Sequence, residues 1–166
     1  MCLNDPDFIR QELVNAAKNW LAIDGLWFLA VEERYGLDAA IACDLDAWQQ
    51  FSVIEARRIK DLLGLPENGG LDALERALPH RLFAFVNEQE IRRPDDHTLL
   101  YFMNTCRTQT ARNKKELPLF PCKEIGIMDH TQFARTIDSR IETTCITCPP
   151  DPPEKGICCG WRFLLR

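Results

Sequence analysis

The hydrophobic period of this chain changes near residue 80, and that change constrains its architecture more than any other feature. Before it, apolar residues recur at helical spacing: Leu13, Trp20 and Trp27 stand seven apart, and Phe28 and Val31 extend the stripe. Asn4 or Asp5 followed by Pro6 makes a helix start, and Gly36 a stop, so residues 7–35 read as helix, with a break allowed at Asp24-Gly25. Ile41, Leu45, Trp48, Phe51, Ile59 and Leu62 predict a second helix from Asp38 to Leu63, closed by Gly64. A short helix from Leu71 to Leu78 precedes Pro79.

Beyond residue 80 the signals are those of strands. Residues 82–87, 97–103, 139–146 and 159–165 are the strand candidates, with a turn over 93–96 and a helix over 123–135. Pro149, Pro150, Pro152 and Pro153 make 149–156 a loop. The expected fold class is α+β: an N-terminal helical layer packed on a four-stranded, mostly antiparallel sheet. Residues 1–166 read as one domain, with a helical part over 6–79 and a sheet and cysteine-rich part over 80–166.

Composition narrows the function classes. A formal charge of −5 disfavours nucleic-acid binding, which draws on a basic surplus. The longest apolar run, Gly25 to Val31, ends at Glu32-Glu33 and is too short to span a membrane. The first residues carry neither a basic region nor an apolar core, so a cytoplasmic location is expected.

That expectation bears on the 8 cysteines, because a reducing compartment disfavours a disulfide framework. Cys43, among Ala39, Ala40 and Ala42, reads as a small buried hydrophobe. Six others crowd between Cys106 and Cys159. The Cys145-Ile-Thr-Cys148 pair is followed at once by prolines, which removes the helix N-terminus that a redox pair uses to lower its thiol pKa. Metal ligation suits the spacing better, with zinc expected or, alternatively, an iron–sulfur cluster. Cys106, Cys122, Cys145, Cys148 and Cys159 are the candidate ligands. Cys159 is preferred over Cys158 because it alternates with Trp161, Phe163 and Leu165, the more apolar face of its strand. The competing reading is free thiols that simply pack.

The segments Trp20 to Phe28, Phe51 to Ile59, Asn104 to Arg107, Phe120 to Lys123, Cys145 to Asp151 and Cys159 to Phe163 resemble an uncharacterised family of prokaryotic cytosolic cysteine-containing proteins. A more distant resemblance is to L-2-amino-thiazoline-4-carboxylic acid hydrolase-like proteins. The first resemblance implies the same five cysteines. The second implies a thiol- or metal-dependent hydrolase acting on a small carbon–nitrogen substrate.

A ligand pocket is expected between the helical layer and the sheet. Asp24 stands four residues from both Trp20 and Phe28, which places a carboxylate on an aromatic stripe; alternatively it caps a second helix. Trp27 joins the same stripe. Asn104 shares strand parity with Phe102 and Cys106, and Arg107 and Arg112 stand where they would receive an anionic small molecule. The same basic run also reads as a solvated helix face. His130 reads as a surface histidine, and Glu32, Glu33 and Glu55 lack the Glu-x-x-His partners of a di-iron site. The main functional expectation is a metal- and small-ligand-binding protein. Four tryptophans in a chain with so large a helical layer also suggest an exposed apolar patch and a homodimer.

Overall fold

The computed structural model describes residues 5–152 and 156–166. Asp5 caps the first helix, accepting a hydrogen bond from the Asp7 amide at 3.1 Å. Helix α1 (Pro6–Tyr35) runs without interruption through Asp24-Gly25, so Asp24 is a mid-helix residue and caps nothing. Gly36 separates it from α2 (Leu37–Leu63), and Gly64, at φ 58°, closes α2 in the left-handed conformation that glycine adopts without steric cost. The short α3 (Gly70–Ala77) follows.

The expected strand over residues 82–87 is absent; Leu82–Phe85 forms a 3-10 turn. Its alternating phenylalanines mimic a strand, but Phe83 is recruited by the helical layer. Its ring stacks on Trp48 with centroids 5.3 Å apart and meets Trp20 edge-on at 5.4 Å. Tertiary packing here outweighs strand propensity. The sheet therefore begins later, with β1 (Glu88–Asp95) and β2 (Thr98–Thr105), and the turn between them is Asp96-His97, at the end of the predicted 93–96 segment.

Two helices precede the remaining strands. The basic segment after β2 forms α4 (Arg107–Lys114), and α5 covers Lys123–Ile137. Strands β3 (Ile141–Thr147) and β4 (Cys159–Leu165) complete a four-stranded sheet in the order β1-β2-β4-β3, with every neighbouring pair antiparallel. The α+β class and the helical N-terminal layer are as expected.

One sheet face carries the core. Leu99, Tyr101 and Met103 of β2 share it with Cys159, Trp161 and Phe163 of β4, because cross-strand partners in an antiparallel ladder point the same way. Phe102 lies on the other face. There Phe102 is covered by the Arg92 guanidinium, 5.0 Å from its ring centroid. Helix α5 closes the core face, and its approach depends on Gly126. A Cβ at that position would stand 2.7 Å from two carbons of the Trp161 ring. A second aromatic cluster, built on Trp48, Phe120 and Ile125 with Trp20 and Phe28 against it, joins α1 and α2 to the rest. Cys43 is exposed, not buried: it stands beside exposed Ala42, while Ala40 is the alanine of this run that enters the core.

Candidate functional site

Between the helical layer, α4, α5 and the sheet lies a cavity of about 430 Å³, within the range that accommodates small organic ligands. Its walls are mainly apolar: Leu21 and Phe28 of α1, Trp48 of α2, Tyr101 and Met103 of β2, and Phe120. The polar groups set among them form three clusters.

The first is a buried charge network beneath the cavity. Arg81, almost wholly buried, donates from Nε to Glu55 Oε2 at 2.9 Å and from Nη2 to Asp129 Oδ1 at 2.7 Å. Its guanidinium also lies 4.3 Å from the Phe133 ring centroid. Glu55 accepts a further bond from the Leu82 amide at 3.1 Å. Ser52 Oγ stands 2.5 Å from Asp129 Oδ1 and 2.6 Å from the Trp48 carbonyl, its one proton shared between them. Burial alone would raise the Asp129 pKa, but the Arg81 charge and the hydrogen bonds from Arg81 and Ser52 hold it below the usual carboxylate value. His130, next along α5, is buried and not the surface histidine its sequence position suggests. Its Nδ1 lies 2.9 Å from the Gly126 carbonyl and must carry the proton of that bond. Burial holds its pKa down at about 4, so the ring is neutral at pH 7. Its Nε2 has no partner among the described residues, and the ring stacks on Trp161 at 4.3 Å. The Trp161 Nε1 donor is buried without a partner.

The second cluster is a pair of carboxylates. Asp24 and Asp44 both line the cavity, from α1 and α2. Burial raises the Asp24 pKa. Burial, and then repulsion from Asp24, raise that of Asp44 to about 7, against a hydrogen bond with the Trp48 side chain. Asp44 was not singled out from the sequence, although it stands four residues before Trp48, the relation that drew attention to Asp24.

The third cluster is the cysteines, which fall into two groups. Cys122 and Cys148 have their sulfurs 3.5 Å apart, and Cys159 is the next thiol toward Cys148 in the same wall. The sequence explains this meeting. A bulge between Cys145 and Thr147 re-aims the end of β3, so Cys148 enters the core. The Cys148-Pro-Pro-Asp151 turn is then pinned to the start of α5: Lys123 Nζ lies 2.9 Å from both Asp151 oxygens, and the Lys123 amide donates to the Pro149 carbonyl at 3.0 Å. Gln109 fixes the other side, donating to the Phe120 carbonyl at 2.8 Å and to Cys122 Sγ at 3.6 Å. The Cys148 thiol stays protonated, its pKa raised by its bond to Cys122, by the Cys159 thiol and by burial. The bond from Cys148 in turn lowers the Cys122 pKa.

The second thiol group pairs Cys106 with Cys158. Cys106 is the N-cap of α4. The Cys158 bond outweighs burial and, with the backbone amides of Gln109 and Thr108, draws its pKa down to about 6. Cys158 is correspondingly raised. Cys145 shares the core face of the sheet with its cross-strand partner Trp161, and burial raises its pKa. Among the described residues, no group of three or more His, Cys, Asp or Glu side chains has a spacing ready to hold a metal ion.

A family model matches residues 5–165. The chain belongs to DUF6125, a family of unknown function. No curated protein and no solved structure matches it. For this DUF6125 chain, then, the site itself carries the functional argument. The cavity wall includes Asp24, Cys106, Cys122, Cys148, Cys159, Arg107 and Arg112. Trp27 is 70% exposed on the outer side of α1, and neither it nor Asn104 is among the residues that line the cavity. Arg112 is committed to a bidentate pair with Glu32, at 2.9 and 3.1 Å, and to the Pro118 carbonyl at 2.7 Å. The run is thus a helix with one buried, internally paired arginine. No described helix is long and apolar enough to cross a membrane.

Proposed function

We propose that this protein binds a small organic molecule in the cavity between its helical layer and its sheet, with thiols presented to that molecule from the wall. The single observation that carries the reading is the wall itself: aromatic and aliphatic over most of its area, with ionisable groups from α1, α2, α4, α5 and the sheet converging on one space. Closed cores of this size do not gather three carboxylates, a neutral imidazole and four cysteine sulfurs around a common volume, because each buried polar group costs free energy unless something satisfies it.

The test is saturable binding of a neutral apolar fluorophore, N-phenyl-1-naphthylamine, at one site per chain. Gly25 lines the cavity, and a Cβ added there meets nothing within 4 Å. Gly25→Phe therefore fills the space from a helix that tolerates the change, and it should abolish binding while the protein stays folded. Unaltered binding in that variant would refute the reading.

Metal binding is a second reading, favoured by one distance. Two thiolates on a tetrahedral zinc with bonds of about 2.3 Å lie roughly 3.8 Å apart, and Cys122 and Cys148 are 3.5 Å apart. Cys159 lines the same cavity and would have to turn toward this pair to supply a third sulfur; a fourth ligand would then come from the bound molecule or water, leaving a Lewis-acidic position suited to hydrolysis of a small carbon–nitrogen compound. Elemental analysis of the purified protein decides it: about one zinc per chain supports the reading, and none refutes it.

A further inference from the structure

We infer that the molecule held in this cavity is an organic cation, a protonated amine on an apolar body, seated between the carboxylates of Asp24 and Asp44 and against the rings of Trp48 and Phe28. This inference rests on the cavity reading and adds the chemical class of the ligand.

The argument is an accounting of charges in the wall. Arg81 is consumed by Glu55 and Asp129, and Arg112 by Glu32 and a carbonyl. Arg107 and Lys115 are exposed at the outer end, where water solvates them. Asp24 and Asp44 remain, and neither forms an ion pair with a described residue. They repel one another across the gap between α1 and α2. A cation between them relieves both, and in a partly desolvated site that attraction exceeds its value in water. Aromatic rings beside the carboxylates add a favourable face for the same charge.

An independent group points the same way. His130 is over nine-tenths buried, lies in the same wall, and offers Nε2 as an unpartnered acceptor because Nδ1 is bound to Gly126. The wall thus offers the Asp24 carboxylate, the Asp44 carboxylate beyond its bond from the Trp48 side chain, and an imidazole nitrogen as acceptors, against one unpartnered indole donor, that of Trp161. A ligand that complements it is rich in donors. An anionic ligand would meet the two carboxylates with no free buried cation to compensate.

Binding should depend on pH. Asp44 is faced by Asp24 from α1, by Asp129 from α5 (already neutralised by Arg81), and by Trp48 on its own helix. Its titration near pH 7 means that a cation gains its second counter-charge as pH rises. Affinity should therefore increase about tenfold between pH 6 and pH 8.

The experiment compares 2-phenylethylamine, 2-phenylethanol and 3-phenylpropionate by calorimetry and by displacement of N-phenyl-1-naphthylamine. At pH 8 the amine should bind at least tenfold more tightly than either analogue. In the double variant D24N/D44N that preference should fall below threefold, with phenylethanol binding retained as evidence that the cavity persists. If the fluorophore binds but the carboxylate matches or exceeds the amine, or if none of the three displaces it, the cation inference is overturned while the cavity reading stands. If the fluorophore itself fails to bind, the cavity reading falls and takes the inference with it.

Discussion

Arg81 Nη2 lies 2.7 Å from Asp129 Oδ1, and this contact ties the segment after α3 to the middle of α5 beneath the cavity. Both side chains are sealed from solvent, and Glu55 completes the network from α2. Taking one member away strands the others. Arg81→Met should destabilise the protein by about 3–5 kcal/mol, because two buried carboxylates lose their counter-ion. Urea denaturation measures this directly; a loss under about 1 kcal/mol would mean that water reaches the network freely.

Asp44 should limit stability at neutral and alkaline pH. Its folded-state pKa of about 7 is raised above the ordinary 3.8, so the folded protein holds that proton more tightly than the unfolded chain. The contribution is fully favourable below pH 3.8 and is lost as pH rises through 7. Asp44→Asn should therefore raise stability on the order of 2–4 kcal/mol at pH 8 and leave it little changed at pH 4. Equal effects of the substitution at both pH values would show that Asp44 is solvated.

Cys106 should be alkylated by iodoacetamide with a rate midpoint near pH 6, since its thiol pKa is drawn down to about 6. Cys148, held protonated by its neighbours, should resist until the protein unfolds. Brief labelling followed by peptide mass spectrometry resolves the two. Cys158→Ser should weaken the hydrogen bond at Cys106 and move the midpoint upward; a midpoint above pH 8 in the parent protein would contradict the arrangement.

Gly126→Ala should cost about 1–3 kcal/mol through overpacking, because the added methyl meets the buried Trp161 ring at 2.7 Å. The same change should shift the near-ultraviolet signal of that tryptophan. Thermal denaturation with circular dichroism reads both, and an unchanged melting temperature would mean that α5 can slide away from the sheet.

What the sequence disclosed depended on periodicity. The stripes of α1 and α2, their glycine stops, and the face shared by Cys159, Trp161 and Phe163 could be read because each follows from a repeat of 3.6 or 2. The strand expected over 82–87 failed because Phe83 packs on Trp48 and Trp20, a partnership set by tertiary structure. Asn104 is absent from the cavity wall because β2 bulges there, Met103 and Thr105 pairing with the consecutive residues Gln89 and Glu88, so simple alternation does not extend to it, while Cys106 leaves the strand as the cap of α4 and lines the cavity. Asp129 carried an overlooked signal: it falls between Ile125 and Phe133 at intervals of four, a carboxylate on a buried stripe. Arg81 had no such signal, since it sits in a short connection where no period applies.

The most direct test of the account is a crystal structure of the protein soaked with 2-phenylethylamine at pH 8. The account predicts the phenyl ring against Phe28 and Trp48, with the ammonium nitrogen within hydrogen-bonding distance of Asp24 and Asp44. An amine found only on the outer surface, with the side chains of α1 and α5 closed across the space between them, would contradict it.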